Sequence, residues 1–133
     1  MIVLDASAII DWLLDSPQRG PAISEWLVRI RHPHTLDFAD IEVVSTLRRK
    51  TMIRELTERR AQQALDDLFN TRLRRHRVAP LAGRAWELRH THNPYDAGYV
   101  ALAEALDIPL LTTDGPLSRS GGHQATIVLP TLG

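Results

Sequence analysis

The sequence predicts an α/β domain: a mainly parallel sheet with helices on both faces. Three observations carry this. Short apolar runs of strand length alternate with longer segments whose apolar residues recur at helical spacing, along the whole chain. The chain has 133 residues, within the ~100–200 that one hydrophobic core usually serves. Its 44% hydrophobic and 24% charged residues are ordinary for a globular protein, and no repeat, low-complexity tract or linker interrupts it. One domain over residues 1–133 is therefore expected.

Each element has its own signal. Ile2-Val3-Leu4, ending at Asp5, reads as a buried strand. Good helix formers run from Ala6 to Leu14, until Asp15-Ser16-Pro17 breaks them. Ile23, Trp26, Leu27 and Ile30 recur at helical spacing, so a second helix is expected up to about His32, ended by Pro33. His34-Thr35-Leu36 reads as a brief second strand. A helix from Phe38 to about Ile53 follows, with Ile41, Val44 and Leu47 on its inner face. Thr57 is the expected N-cap of the next helix, whose apolar stripe is Ala61, Ala64, Leu65, Leu68 and Phe69. Arg75 to Ala79 reads as a third strand, and Ala82 to His92 as a helix that stops before Asn93-Pro94. Another helix is expected from Tyr95 to about Leu106. Pro109 to Thr113 is a strand ending at Asp114, residues 115–122 are a loop, and Ala125 to Leu129 is the last strand.

Composition removes several function classes. There is no cysteine, hence no disulfide and no thiolate metal site. No apolar run approaches the ~18–20 residues of a membrane span. The opening MIVLDASAII lacks a basic region and is interrupted by an acid, so no secretory signal is expected and the cytoplasm is the expected location. No G-x-x-x-x-G-K, G-x-G-x-x-G or G-x-S-x-G occurs, which excludes the common nucleotide cradles and the hydrolase elbow. Net charge is zero but unevenly spread: residues 48–77 carry ten Lys/Arg against four Asp/Glu, and the remainder six against twelve. Arg outnumbers Lys fifteen to one, which suits either a GC-rich genome or phosphate recognition by the planar guanidinium fork.

The acids carry the chemistry. Asp5 and Asp114 each follow an apolar strand, and in an open α/β sheet the carboxyl ends of the strands open onto the ligand crevice. Both are also residue types that cap helices and shape turns. Glu42 lies inside a helix with Phe38, Ala39, Ser45 and Thr46 at its i±3 and i±4 positions, so no local cation pairs with it. Asn93-Pro94-Tyr95-Asp96 reads as a helix start, with Asn93 as N-cap, Pro94 at the first position and Asp96 at the third, and is compatible with a side chain presented to a cleft. Two unit charges ~4 Å apart repel by about 4 kcal/mol at an effective dielectric near 20. Four converging carboxylates are tolerable when a divalent cation fills the cluster or some stay protonated. Oxygen-only donors point to a hard cation, Mg²⁺ or Mn²⁺, and the matching chemistry is phosphodiester hydrolysis.

The V-L-D-A-S opening at Asp5, the helical Glu42, NPYDAGYVALAEAL around Asp96 and DIPLLTTD ending at Asp114 resemble the PIN-domain ribonucleases. More narrowly, the chain resembles the VapC toxins of bacterial type II toxin–antitoxin pairs, from Met1 to Pro130. The resemblance implies a three-layer α/β/α PIN-like domain with a five-stranded sheet in the order 3-2-1-4-5. It implies that Asp5, Glu42, Asp96 and Asp114 bind Mg²⁺ or Mn²⁺ and orient the attacking water. Ser7 and Thr112 match small hydroxyl positions that support the acids or a bound phosphate. The implied substrate is structured RNA, such as transfer RNA or a ribosomal RNA loop. The implied partners are a second copy of the chain and a VapB-type antitoxin that lays a segment over the cleft, in a heterotetramer or larger assembly, inside a bacterial cell.

Other features fall around this reading. Arg72, Arg74, Arg75 and Arg77 form a basic cluster, read as an RNA-backbone contact or as a solvated face paired to Asp66 and Asp67. Aromatics are only 5% of residues, which disfavours base stacking as the main mode of RNA binding. His32/His34 and His90/His92 lack the spacing of a zinc motif. Trp12, Trp26 and Trp86 read as core or dimer contacts. A phosphoacceptor design is disfavoured, since position 7 is Ser and the single Lys is Lys50, within a helix. A silent binding relative, and a nuclease acting on DNA or in RNA processing, are the remaining alternatives.

Overall fold

The computed structural model describes residues 1–131; the last two residues of the expected 1–133 domain, Leu132 and Gly133, lie outside the described residues. The strands are β1 (Val3–Leu4), β2 (His34–Leu36), β3 (Arg74–His76), β4 (Leu110–Leu111) and β5 (Ile127–Val128). The helices are α1 (Ala6–Leu13), α2 (Arg19–Leu27), α3 (Ala39–Met52), α4 (Glu58–Asn70), α5 (Ala82–Glu87), α6 (Pro94–Leu106) and α7 (Gly115–Ser118). The strands form one sheet in the order β3-β2-β1-β4-β5, every pairing parallel. That is the expected order.

Neighbouring strand residues point to opposite faces. Val3 and Leu4, and Leu110 and Leu111, are all fully buried, so both faces of the central strands are covered and the domain has three layers. α6 packs on β1, β2 and β4, with α5 against it, while α1 packs on β1 and gathers α2, α3 and α4. No helix among the described residues is long and apolar enough to cross a membrane.

Several expected details differ. The inner face of α3 is Ala39, Val43 and Leu47, a strict i, i+4, i+8 stripe; Ile41 and Val44 fall off it and are exposed. On α4, Ala61, Ala64 and Leu68 face the core and Phe69 faces solvent. α2 ends at Leu27 rather than His32. The third strand is Arg74–His76, and the chain then makes a 3-10 turn at Ala79–Leu81. The helix expected over Ala82 to His92 stops at Glu87: the backbone turns at Leu88, and the buried His92 lies beyond the helix, its ring held by the Thr91 and Ser120 hydroxyls at 2.8 and 2.9 Å. The expected 115–122 loop begins with α7. Asp114 caps it through Leu117 N–H, and Pro116 sits in its first turn, where its missing N–H is harmless.

Candidate active site

The chain runs β1, β2, β3 toward one edge and returns to β4 and β5 on the other side of β1. The strand order therefore reverses between β1 and β4, and crevices open at the carboxyl ends of strands at such a point. Asp5 follows β1 and Asp114 lies three residues past β4; their strands pair Leu4 with Leu111. Both acids are also helix N-caps. Asp5 Oδ1 accepts from Ala8 N–H at 2.9 Å, and Asp114 Oδ1 from Leu117 N–H at 3.2 Å. The cap and cleft readings of these residues thus hold together.

Two hydroxyls tie the acids. Ser7 Oγ donates to Asp5 Oδ1 at 2.7 Å, and Thr112 Oγ1 donates to Asp5 Oδ2. Each hydroxyl has one proton. With both spent on Asp5, the Ser7–Thr112 contact of 3.2 Å carries no proton of its own. As acceptors, Ser7 takes Thr113 N–H at 3.1 Å and Thr112 takes Asp114 N–H at 3.0 Å. Thr112 therefore links the first acid to the backbone of the last. Ser7 acts on Asp5 and on the β4 exit.

Asp96 opens α6. Asn93 Oδ1 caps its N–H at 2.9 Å and Asn93 Nδ2 donates back to Asp96 Oδ2 at 3.1 Å. Glu42 projects from the first turn of α3 and accepts from the hydroxyl of Tyr99 on α6 at 2.7 Å. Tyr99 is 1% exposed, so its hydroxyl is committed to Glu42. Phe38 packs edge-to-face on Tyr95 and Tyr99, with centroids at 5.4 and 5.3 Å, and so fixes the start of α3 against α6.

Asp5, Glu42, Asp96 and Asp114 line one cleft of about 620 Å³, with Ser7, Tyr95 and Tyr99. Burial pushes the Asp5 carboxyl up to about 6, against the pull of its Ser7, Thr112 and Ala8 hydrogen bonds; the Asp96 charge adds to the rise. Burial likewise raises Glu42, which Asp96 also repels, and raises Asp96, which Asp114 repels. Asp96 is the centre of this mutual repulsion. Arg49 and Lys50, from the basic segment, line the same cleft.

The PIN domain family model matches residues 2–122. Ribonuclease VapC12 of Mycobacterium tuberculosis is 37% identical over 129 residues, spanning 97% of this chain and 98% of its own. The chain belongs to the VapC ribonucleases of the PIN-domain family. Solved VapC structures share the fold. One is M. tuberculosis VapC20, described as a sarcin-ricin loop cleaving toxin, with TM-score 0.66, 22% identity and 93% and 97% coverage of the two chains. Another is VapBC2 from Rickettsia felis bound to a DNA fragment from its promoter, with TM-score 0.64, 16% identity and 96% and 98% coverage.

In this VapC chain the carboxylates are hard-oxygen donors and repel one another, which fits Mg²⁺ or Mn²⁺. Among the described residues no three acids or histidines close into a ready ligand cage. The expected basic cluster lies elsewhere. Arg72, Arg74 and Arg77 lie at the sheet edge around β3, and none lines the cleft. Arg75 is held by Asp40 through a two-pronged ion pair at 2.7 and 2.8 Å, not by Asp66 or Asp67. Trp12 packs against the core, while Trp26 and Trp86 are exposed, the latter under the Arg89 guanidinium at 4.3 Å. Tyr99 was not a sequence candidate: a tyrosine on an apolar helix reads as core, and its only signal is its place one turn after Asp96.

Proposed function

We propose that this chain is an endoribonuclease toxin that hydrolyses phosphodiester bonds in structured RNA, such as transfer RNA or ribosomal RNA. Asp5, Glu42, Asp96 and Asp114 would hold a divalent cation, Mg²⁺ or Mn²⁺, and a VapB-type antitoxin would silence the site. The observation that carries this is the meeting of four carboxylates in one cleft at the sheet's switch point, in a chain of the VapC family.

The cation, when bound, supplies charge neutralisation for the phosphoryl transition state and acidifies water. The chain's own residues do the rest. Ser7 and Thr112 hold both oxygens of Asp5, fixing the direction in which its remaining lone pairs point. Tyr99 holds one Glu42 oxygen and leaves the other free to accept a proton from an attacking water or to orient it. Arg49 and Lys50 offer positive charge where an RNA phosphate would enter. Arg72, Arg74 and Arg77 extend that charge along the sheet edge, outside the cleft. A protein partner is supported by exposed apolar residues at both ends of α3: Ile41, which lines the cleft, and Met52 and Ile53 at the far end.

The test is cleavage of total cellular RNA by the purified, antitoxin-free chain with Mg²⁺, with EDTA, and beside Asp5→Asn. Discrete fragments requiring both metal and Asp5 are expected, with activity falling at least ~100-fold in the variant. Intact RNA from folded protein under every condition would overturn the ribonuclease reading.

A further inference from the structure

The opposite end of the sheet carries the opposite charge. A pocket of about 260 Å³ opens at the amino ends of the first three strands, lined by Arg29, Arg31, His32, His34 and Arg74 with Met1 and Ile30. No acid lines it. Among the described residues, Arg29, Arg31 and Arg74 enter no ion pair and donate no side-chain hydrogen bond, whereas Arg75, Arg84 and Lys50 are each paired. Three unneutralised guanidinium groups around one concavity are the mirror image of the carboxylate cleft. They repel one another unless an anion lies between them.

His34 forms the floor. It is 4% exposed, and its Nδ1 lies 2.7 Å from His76 Nε2, with the two rings stacked at 5.0 Å. Its Nε2 has no hydrogen-bond partner among the described residues. When His76 donates from Nε2, His34 accepts at Nδ1 and carries its proton on Nε2, as a free donor. Burial, His76 and Arg74 all hold the His34 pKa down.

We propose that this pocket binds a phosphoryl oxyanion, with Arg29, Arg31 and Arg74 as the cationic clamp and His34 Nε2 as a neutral donor. The guanidinium fork matches phosphate oxygens, and a neutral imidazole N–H supplies direction without a further charge. The oxyanion has two sources: a phosphodiester of an RNA strand running round the β3 edge, or free inorganic phosphate. The β3 edge favours the first, because Arg72 and Arg77 flank Arg74 along it. The pocket stands apart from the carboxylate cleft, so it does not depend on the metal reading.

The experiment uses the full chain in EDTA, so that nothing is cut. The His34 side chain is followed by ¹H–¹⁵N NMR while inorganic phosphate, then an uncleavable 2′-O-methyl oligoribonucleotide, is added to wild type and to R29Q/R31Q. Neither arginine is buried, so the variant retains the fold. Saturable movement of His34 by phosphate is expected, weakened about tenfold or more in the variant. The oligonucleotide should move the same resonance and compete with phosphate. Its log–log salt slope should flatten by about 0.7 for each phosphate that the variant no longer neutralises. A response to phosphate but not to the oligonucleotide would keep the site and assign it to the free anion. No saturable response of His34 to either probe would overturn the proposal. A response to phosphate in a protein that leaves RNA intact with Mg²⁺ would reject the nuclease reading alone.

Discussion

Asp5 sits among three donors, yet burial dominates and raises its pKa from 3.8 to about 6. The folded carboxyl therefore holds its proton more tightly than the unfolded chain does. Its contribution favours the metal-free fold fully below about pH 4 and is lost as pH rises through about 6. A shift of this size corresponds to about 3 kcal/mol. Asp5→Asn keeps an oxygen for Ala8 N–H, and Asn caps helices as well as Asp does. In EDTA at pH 8 the variant should be more stable than wild type, by up to ~3 kcal/mol, and should lose that advantage near pH 4. Urea unfolding at the two pH values checks this; a less stable variant at pH 8 would mean that the charge-assisted hydrogen bonds of the carboxylate outweigh burial. Tyr99 makes a second prediction at this scale. Tyr99→Phe should cost about 1 kcal/mol, because the half-buried Glu42 can recruit water. It should lower kcat more than RNA affinity, since Tyr99 orients Glu42 and is itself buried. Single-turnover cleavage set against equilibrium binding separates the two quantities.

Among the elements, α6 positions most. It supplies Asp96 at its capped start, Tyr99 one turn on, and a face that packs on three strands. Gly98 lets it lie close to β2: a Cβ there would meet Leu36 Cδ1 at 3.1 Å and Phe38 Cζ at 3.4 Å. Gly98→Ala sets a small gain in helix propensity against overpacking between close neighbours. The expected net loss is about 1–2 kcal/mol, with α6 pushed off β2 and the Tyr99–Glu42 bond lengthened. Thermal unfolding measures the first effect; a crystal structure of the variant measures the second. An unchanged or raised Tm would show that Leu36 gives way freely. α7 matters for a different reason. It is only four residues long, but its cap holds Asp114, and Thr112 anchors the same turn from below.

Across the whole molecule, a formal charge of zero conceals a dipolar arrangement. The carboxylate cleft lies at the carboxyl ends of the strands, and the arginine pocket lies at their amino ends. The basic segment 48–77 reaches both: Arg49 and Lys50 line the cleft, and Arg74 lines the pocket. RNA affinity should therefore fall steeply with salt, even though the protein carries no net charge. Mg²⁺ should raise Tm of wild type more at pH 8, where the carboxylates are ionised and repel, than at pH 5. Thermal melts with and without Mg²⁺ at both pH values check this. Equal shifts at the two pH values would argue against cation binding to these acids.

The sequence by itself marked all five strands, the helix caps at Thr57 and Asn93, and the four acids that the fold gathers in one cleft. Those signals are local: Thr57 and Asn93 cap through bonds three residues away, and the strand runs declare themselves by composition. Sequence order also carried the sheet order, through likeness to a family rather than through any local rule. What only the tertiary structure decided was which surfaces meet. Ile41 and Phe69 are apolar yet exposed, because helix register, not hydrophobicity, selects the inward stripe. α5 stops at Glu87, and past its end the buried His92 is held by Thr91 and by Ser120, the latter 28 residues on. Tyr99 reaches Glu42 across 57 residues, and Thr112 reaches Asp5 across 107. Contacts at such separations leave no trace in local spacing, because they exist only once parallel strands have brought distant segments side by side.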